Sequence, residues 1–545
     1  MPRSDPTHRT QAKAAVAAGL RPGYSEGAGI YRIVPASAIP VDTVRTLTSL
    51  VRSAPLIPRG AGSGMAGGNI GSGIALDLTT LRDLRIDAES RRIAVGAGVT
   101  CRQLNEAAAS YGLRFAPEPS SAGFATLGGM TATNAAGARS FAHGPIRDWV
   151  LGLSMVTSDG EVCTLDAGSP HSTPDCQALQ RFNSQVVPAL RQAAPAILDR
   201  FPKVRKNTAG YGLDAWLETG SPLDLLIGSE GTLGIITEVT LRLEPTPPAT
   251  GGLRAAVTDD AALTAALEIL RESGAVAIEF LDHSFLRFVA DTVPEADRDD
   301  ARHAHALLLV EFEGSTGLVA ERLAKAAKVL EPVATGIRTA NEATELDALW
   351  EIRHAASPIL ARLSDGRRSM QVIEDGCVPP ERFAEYLRGI RAITREEEVD
   401  AVLFGHAGDA HLHVNLLPDL HRAGWKDRLR RIFRRATDLQ IGLGGTTAGE
   451  HGVGRLRSTT LEQQYGPEIV DLMRAVKDAF DPRGILNPGV IFPEPGWDPI
   501  SHLKVGDDAE PIPPGIAAAL REIEMTGGYS RNRIEVAREV MGRGS

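Results

Sequence analysis

The sequence predicts an α+β protein in two parts, and three observations support this. Between residues 31 and 245, short apolar strands such as "LIPRG" and "GIALDL" alternate with amphipathic helices such as "CRQLNEAAASYG". A stretch rich in Pro and Gly then covers residues 245–252 and marks the best domain boundary. From residue 253 strands and helices alternate again, a pattern typical of helices packed on an antiparallel sheet. The 545 residues are enough for two or three domains.

The elements of the first part follow in order along the chain. The pattern "VDTVRTLTSLVRSA" predicts an amphipathic helix, and the strands "LIPRG" and "GIALDL" lie on either side of a Gly-rich loop. "LRIDAESRRIAVGAGV" predicts a hairpin that turns at residues 88–90. The helix "CRQLNEAAASYG" ends at Gly112, because glycine commonly follows the last helical turn. The strand "EVTLRL" then leads into the boundary.

The second part predicts three strands, "GLRAAVT", "VAIEFLD" and "HALLLVEFEG", with the helices "DAALTAALEILRESG" and "GLVAERLAKAAKVLE" among them. A Gly-rich return segment, residues 441–454, precedes the helix "GPEIVDLMRAVKDAF". The tail, residues 496–545, contains a Pro-rich spacer and the helical stretch "GIAAALREIE". We therefore divide the chain into residues 1–33, 34–245, 246–440, 441–495 and 496–545.

Composition excludes several classes of function. The net charge of −10 argues against nucleic acid or an anionic membrane as the main partner. The four cysteines are scattered without a C-x-x-C pair, which argues against an iron–sulfur cluster and a disulfide framework and fits a reducing cytosol. No run of 18 apolar residues predicts a transmembrane helix. The basic residues before "AAVAAGL" favour a frayed tail or first helix over a signal peptide.

The stretch "RGAGSGMAGG", residues 59–68, contains G-x-G-x-x-G at Gly62, Gly64 and Gly67. A Rossmann turn needs a helix directly after these glycines, whereas here the strand "GIALDLTTL" follows, so NAD binding is disfavoured. A P-loop is excluded because no Gly-Lys-Ser/Thr follows. Taken alone, the stretch is either an anion-binding nest of backbone N–H groups or a tight structural loop.

Two further Gly-rich loops favour a bound cofactor. "PEPSSAGFATLGGMTATNAAG", residues 117–137, consists mostly of Gly, Ala, Ser and Thr, which allow backbone and hydroxyl groups to surround a polar ligand closely. "LIGSEGTLGIITEVTLRL", residues 226–243, supplies a third loop that runs into a strand. Each alone could be an ordinary turn, but three in this order are hard to explain in that way.

Histidines cluster in "FGHAGDAHLHVNLLPD", which includes His406, His411 and His413. On a strand, His411, His413 and Asn415 would point to one face, and the bend after His406 could return it toward His413. "GGTTAGEHGVGR" adds a glutamate and another histidine. Two histidines and a carboxylate are the ligand set of a catalytic zinc or similar divalent ion, and a hydrogen-bonded histidine cluster is the alternative.

Together the three loops, with "HGPIRDWVLGL" and "DPRGILNPG", resemble the FAD-linked oxidases of the vanillyl-alcohol oxidase and p-cresol methylhydroxylase superfamily. The resemblance implies a two-part FAD-binding domain over residues 34–245 and an α+β cap domain with an antiparallel sheet over 246–440. It also implies a return to the flavin and metal site over 441–495. The FAD-binding residues implied in this way are Arg59, Gly60, Ala61, Gly62, Ser63, Gly64, Met65, Ala66, Gly67, Pro119, Ser120, Thr126, Gly128, Gly129, Thr133, Asn134, Gly137, Gly144, Glu230, Gly231, Gly234, Ile235, Ile236 and Asn487.

Some members of that superfamily attach FAD covalently through a histidine. The first Gly-rich loop contains no histidine, and His143 lies where an unlinked residue is expected. The sequence therefore predicts non-covalent FAD.

"GHAGDAHLHVN" and "AGEHGVG" resemble the paired motifs of the FAD-dependent D-2-hydroxyacid dehydrogenases. The resemblance implies that His406, His413 and Glu450 bind a metal, with zinc favoured over manganese or iron. It also implies that His451 is the catalytic base and that Asn415 helps to hold the substrate. The segment "LWEIRHAAS" resembles the one that supplies an arginine for the substrate carboxylate, which points to Arg353. Lys206 and Asn207 would be supporting residues, and His411 is expected outside the coordination shell.

These residue types suit the oxidation of a 2-hydroxyacid. The substrate must lose its hydroxyl proton and pass a hydride from Cα to flavin N5. A divalent cation can polarise the hydroxyl group. A neutral histidine, with an unperturbed pKa of about 6.5, can accept the proton at physiological pH.

The substrate is expected to be a monocarboxylate such as D-lactate or glycolate. Relatives that act on dicarboxylates carry a basic residue where this chain has Ile373 or Glu374, although Arg367 and Arg368 are near enough in sequence to substitute. The alternatives are a D-2-hydroxyglutarate dehydrogenase, an alkyl-dihydroxyacetonephosphate synthase-like flavoenzyme without net redox turnover, and a flavin-binding subunit without activity of its own.

The remaining expectations concern partners and location. Electrons would pass to an external acceptor such as a quinone, a cytochrome or an electron-transfer protein. We expect a cytoplasmic protein, either free or peripheral to the inner membrane, and a homodimer is the commonest assembly. The tail could dock a partner subunit or cap the fold.

Overall fold

The computed structural model describes residues 20–51, 54–167, 176–290, 295–363 and 366–542. The basic residues before "AAVAAGL" and most of that run fall within residues 1–19, so the expected N-terminal tail or helix lies outside the described residues.

Within the described residues, strands form four sheets. They are β1 (Ser37–Pro40), β2 (Leu56–Arg59), β3 (Ile74–Asp77), β4 (Leu84–Asp87), β5 (Arg92–Gly96), β6 (Leu113–Arg114), β7 (Val150–Val156), β8 (Val162–Asp166), β9 (Ile235–Arg242), β10 (Glu244–Pro245), β11 (Ala249–Val257), β12 (Ala277–Asp282), β13 (Ala306–Gly314), β14 (Thr335–Ala340), β15 (Gly376–Cys377), β16 (Asp400–His406) and β17 (His411–Leu417).

Helices connect and cover these sheets. The α-helices are Val44–Leu50, Cys101–Ala109, Leu127–Thr133, Ser140–His143, Gln177–Arg181, Val187–Gln192, Ala194–Arg200, Leu213–Thr219, Leu223–Leu226, Asp260–Arg271, His283–Val289, Glu295–His303, Thr316–Leu330, Ala343–Ala361, Phe383–Glu396, Trp425–Gly442, Leu461–Tyr465, Pro467–Phe480, Pro514–Thr526 and Arg533–Gly542. The 3₁₀-helices are Arg21–Tyr24, Ile146–Trp149, Pro380–Arg382 and Ala407–Asp409, and a π-helical stretch is Phe182–Val186.

The first part contains two main sheets. β1, β3 and β2 form a small parallel sheet, in which β2 leads directly into the first Gly-rich loop. β4, β5, β9, β7 and β8 form an antiparallel sheet in that order, and the β4–β5 hairpin turns where the sequence predicts. The apolar residues of this sheet and its helices form one large core cluster.

The second part is built on a seven-stranded antiparallel sheet in the order β14-β11-β13-β12-β16-β17-β15. Apolar clusters lie on both faces of this sheet, so the central strands are almost fully buried. The predicted α+β fold class, with an antiparallel sheet in the second part, is confirmed.

The linker at the end of the first part is shorter than the sequence predicts. Gly251 and Gly252, which the sequence assigns to a linker, lie inside β11 and pair with Phe312 and Glu311 of β13. A Cβ atom on Gly251 would lie 2.7 Å from Leu323, a residue of the helix that covers the strand. These glycines therefore allow close helix–sheet packing rather than a turn.

The C-terminal tail folds onto the first part of the chain. Its helices Pro514–Thr526 and Arg533–Gly542 bury Ile516 and Leu520 against Tyr24 and Ala75. The tail thus belongs to the body of the protein.

Candidate active site

A cavity of about 740 Å³ extends from the Gly-rich loops of the first part to the histidine cluster of the second. Most of the predicted cofactor and metal residues line its wall. Those of the predicted FAD-binding residues that line it are Arg59, Gly60, Ala61, Gly62, Ser63, Gly64, Met65, Ala66, Pro119, Ser120, Thr126, Gly128, Gly129, Thr133, Gly137, Glu230, Gly231, Gly234 and Ile236.

The first loop begins at the end of β2. Arg59 is almost fully buried, and its guanidinium donates to the carbonyl groups of Tyr24 and Glu26, at 3.2 and 2.7 Å. It fixes the loop to the N-terminal segment. Gly67 does not line the cavity. A Cβ atom at this position would lie 2.7 Å from the ring of Tyr31, against which the glycine packs. Gly67 therefore serves packing, whereas its neighbours face the cavity.

The second loop continues into the short helix Leu127–Thr133. A Cβ atom on Gly128 would lie 2.5 Å from the Cβ atom of Ala97, so only glycine allows this close approach. Asn134 adopts a left-handed conformation at the end of the helix and accepts a hydrogen bond from the Arg147 backbone N–H. Neither it nor Gly144 is on the cavity wall.

The third loop is tied to the "AGEHGVG" loop. The Glu230 carboxylate accepts hydrogen bonds from the backbone N–H groups of Val453 and Gly454, at 2.7 and 2.9 Å. Burial raises the pKa of Glu230 to about 7, although these N–H groups lower it. Ile235 lies in an apolar cluster, and Asn487 donates to the carbonyl group of Glu230. Both residues support the loop from behind the wall.

The histidine cluster is built by the β16–β17 hairpin. His406 ends β16 and is paired with His411 in the register, while His411 and His413 share one face of β17. The His406 and His413 Nε2 atoms are 3.3 Å apart, and Glu450 Oε1 is 3.3 and 3.4 Å from them. All four residues are buried.

This spacing fits a divalent cation. Ligand atoms that bind zinc at about 2.0–2.1 Å in a tetrahedron lie about 3.3–3.4 Å from one another. Burial lowers the pKa of His413 to about 4, so its imidazole is neutral and can act as a ligand. His406 donates from Nδ1 to Glu279, a buried carboxylate that orients the ring. The neutral nitrogen of His413 and the ring nitrogen of His406, beside the ionised Glu450 carboxylate, form a suitable donor set.

His411 also belongs to this group. It is fully buried, and its Nε2 atom lies 2.9 Å from Asp375 Oδ1. Its Nδ1 atom has no hydrogen-bond partner among the described residues and lies 3.9 Å from Glu450 Oε2. A Cβ atom on Gly449 would meet the His411 ring at 2.8 Å, so the glycine makes room for it. The structure thus brings together four groups that could hold a metal.

Lys206 stands against the other side of Glu450. Its ammonium group is buried and lies 3.1 Å from Glu450 Oε2 and 3.1 Å from Asp409 Oδ2. Burial alone would lower the pKa of Lys206, but the two carboxylates raise it above its usual value. Lys206 is therefore a buried cation that keeps Glu450 ionised.

His451 lies at the edge of the cluster and lines the cavity. Its ring stacks on that of His413 with centroids 5.3 Å apart, and its Nδ1 atom lies 2.7 Å from Glu374 Oε2. Asp375 accepts a hydrogen bond from the His451 backbone N–H at 3.0 Å. Burial lowers the pKa of His451, but Asp375 and Glu374 outweigh it and raise the pKa to about 10.

Arg353 and Asn415 complete the wall near the cluster. Arg353 donates from Nε to Glu279 at 2.9 Å, and its guanidinium lies over the Phe404 ring at 4.5 Å. These two contacts orient the arginine toward the same space that the histidines line.

Two arginines suggested by sequence proximity are not at the site, and this corrects that expectation. Arg367 is paired with Asp400 at 3.4 Å, and Arg368 donates to the Leu363 carbonyl at 2.6 Å. Neither lines the cavity. Position 374, where relatives that act on dicarboxylates carry a basic residue, holds a buried carboxylate that is paired with Arg457.

Sequence reasoning missed Glu279, Asp375 and Arg457. Glu279 interrupts the otherwise apolar strand "VAIEFLD", and a charged residue in a buried strand is a usable signal. Asp375 and Arg457 carried no local signal, because their importance comes from contacts with loops distant in sequence.

Comparison with known proteins identifies similar families and folds. The family described as "FAD binding domain" matches residues 40–166, and "FAD linked oxidases, C-terminal domain" matches residues 252–491. A D-lactate dehydrogenase of Archaeoglobus fulgidus is 33% identical over 81% of this chain and 86% of its own length. The glycolate oxidase subunit GlcD of Bacillus subtilis is 31% identical over 84% of this chain and 88% of its own.

More distant similarities agree with these. A D-2-hydroxyglutarate dehydrogenase of Escherichia coli is 31% identical over 86% of this chain but only 48% of its own length. The fold resembles that of a 4-ethylphenol oxidase from Gulosibacter chungangensis, with a TM-score of 0.60, 16% identity, and coverage of 88% of this chain and 94% of that one. No helix among the described residues has both the length and the apolar character needed to cross a membrane.

Proposed function

The chain belongs to the FAD-linked oxidases, a family of FAD-dependent oxidoreductases, and we propose that it oxidises a D-2-hydroxyacid to the 2-oxoacid. The proposal rests on one observation: the Gly-rich loops and the histidine cluster line the same cavity. The Gly-rich loops line one end, and His406, His413 and Glu450 line the other beside His451.

The residues present fit both cofactors. Backbone N–H groups of the first loop suit a pyrophosphate, and the other two loops leave room for a flat ring. When bound, FAD would supply the hydride acceptor and a divalent cation would supply the positive charge that makes the substrate hydroxyl acidic. His406, His413 and Glu450 would hold that cation, with zinc favoured.

His451 is proposed as the base that takes the hydroxyl proton. Its Nδ1 atom is engaged by Glu374, which fixes the ring, and its Nε2 atom lies 3.5 Å from Glu450 Oε1 at the cluster. A base must be neutral, whereas the surrounding carboxylates raise the pKa of His451 to about 10. A nearby cation opposes this effect, since like charges disfavour the protonated ring. The metal and the base are therefore expected to depend on each other.

Arg353 and Asn415 are proposed to hold the substrate. Because Arg353 Nε is engaged by Glu279, its Nη atoms are the donors that a substrate carboxylate can use. The Asn415 side chain, on the same face of β17 as His413, offers both a donor and an acceptor.

The substrate proposed is a monocarboxylate, D-lactate or glycolate. The wall near the cluster carries the buried carboxylates Glu374 and Glu279, and Arg367 and Arg368 lie elsewhere. Glu374 is already paired with Arg457, so position 374, where relatives that act on dicarboxylates carry a basic residue, offers no positive partner to a second substrate carboxylate. D-2-hydroxyglutarate is the second candidate, on the strength of the relative that acts on it. Electrons would leave to an external acceptor.

The test is an anaerobic titration of the purified holoenzyme with D- and L-2-hydroxyacids, followed by the visible flavin absorption. We expect D-lactate or glycolate to bleach the flavin and a chelator to abolish the bleaching. A higher kcat/KM for D-2-hydroxyglutarate than for D-lactate would refute the monocarboxylate assignment. A yellow protein that no hydroxyacid bleaches would refute the dehydrogenase and favour the synthase-like or subunit alternatives.

A further inference from the structure

The C-terminal tail reaches the same cavity as the Gly-rich loops. Residues 524–527 and Tyr529 line the wall, although they lie beyond residue 491, where the family match ends. Residues 524–526 are the last residues of the helix Pro514–Thr526, and Gly527 and Tyr529 lie in the turn that leads to the helix Arg533–Gly542. This part of the wall therefore lies outside the regions that the two family descriptions match.

Ion pairs within the tail and one contact with the second part of the protein hold this helix end and turn in place. Glu524 forms ion pairs with Lys504 at 2.9 Å and Arg521 at 2.7 Å. Arg521 also donates to the carbonyl group of Ala361, at the end of the helix that carries Arg353. The tail thus connects the end of the helix that carries Arg353 to the cluster around Tyr24 and Ala75 in the first part. Its apolar residues are buried against the chain itself, which leaves them unavailable to a partner subunit.

An aromatic pair marks the point where the tail meets the second loop. The rings of Tyr529 and Phe124 have centroids 5.3 Å apart and an interplanar angle of 44°. Both residues line the cavity. Tyr529 is only half-buried, so part of its ring faces the cavity.

We propose that residues 524–529 are part of the FAD site, with Tyr529, supported by Phe124, packing against a flat ring of the bound cofactor. The turn covers the cavity and slows the release of FAD. Aromatic side chains bind flat heteroaromatic rings of every kind through their faces, so this contact needs no specific hydrogen bond. The inference rests on the FAD-binding family alone and does not depend on which hydroxyacid is oxidised.

The experiment compares FAD release from four holoenzymes: the wild type, Tyr529→Ala, Tyr529→Phe and the matched control Tyr111→Ala. Tyr111 is 57% exposed and does not line the cavity. Release is followed as the rise of flavin fluorescence after dilution, without substrate. We expect about tenfold faster release from Tyr529→Ala and wild-type rates from Tyr529→Phe and Tyr111→Ala.

Circular dichroism and thermal unfolding of the apoproteins verify that each variant folds. A folded Tyr529→Ala protein that purifies without flavin supports the proposal as well. A second variant, Phe124→Leu, is expected to speed release because it removes the ring behind Tyr529. Release rates within twofold of wild type in both variants would overturn the proposal, as would equal acceleration in Tyr111→Ala. Because no hydroxyacid is present, failure of the proposed oxidation would leave this result intact.

Discussion

Glu230 connects the third Gly-rich loop to the loop of Glu450 and His451, and its ionisation is expected to control the stability of that junction. Burial raises its pKa in the folded protein to about 7, from an ordinary value of 4.5. A raised carboxyl pKa means that folding favours the protonated form. The resulting stabilisation is complete below pH 4.5 and is lost as the pH rises through 7.

The magnitude follows from those two values. At about 1.4 kcal/mol per pKa unit, the difference between 4.5 and about 7 corresponds to about 3 kcal/mol. The variant Glu230→Gln keeps an oxygen that can accept from the Val453 N–H but cannot ionise. We therefore expect the wild-type apoprotein to lose about 3 kcal/mol relative to the variant between pH 4 and pH 8.

Urea unfolding of both apoproteins at several pH values measures this difference. Because other groups titrate equally in both proteins, the comparison isolates Glu230. The reasoning would be refuted if the difference in the free energy of unfolding between the two proteins stayed constant across that range.

Four further predictions concern the histidine cluster and Arg353. Glu450→Ala should lose metal, measured by elemental analysis, and turnover, while retaining yellow flavin. His451→Asn should keep metal and flavin but reduce the flavin at least 100-fold more slowly in stopped-flow experiments; normal reduction would exclude it as the base. His411→Asn should weaken metal affinity at least tenfold in a chelator competition, because its Nδ1 atom is turned to the cluster without a partner; unchanged affinity would place it outside the coordination shell. Arg353→Lys should raise KM for the hydroxyacid more than it lowers kcat, and an unchanged KM would remove Arg353 from the carboxylate site.

Much of the fold is predictable from the sequence because its signals are local. The β4–β5 hairpin and the strands of the seven-stranded sheet follow from apolar periodicity and turn residues. The extent of the linker was predicted wrongly, since Gly251 and Gly252 look like a linker but lie in β11 and serve helix packing. Local composition does not distinguish a glycine that permits a turn from one that permits close contact.

The site was predictable where its motifs are contiguous. Strand alternation predicts that His411 and His413 share one face, and the bend after His406 predicts its return toward them, as the pairing of β16 with β17 shows. Asp375, in contrast, contacts the backbone of Glu450 and the ring of His411 across long sequence separations. No pattern in one sequence specifies such contacts. The tail contributes to the cavity for the same reason, through packing that composition alone does not reveal.

One carboxylate, Glu279, receives both Arg353 from the helix Ala343–Ala361 and His406 from the end of β16. The residue proposed to recognise the substrate carboxylate and a residue proposed to bind the cation therefore share a single anchor. A shift of the helix that moves Arg353 would also move Glu279, and with it the hydrogen bond that orients the His406 ring. If both proposed roles hold, variants at position 279 should change the affinities for the substrate and for the cation together.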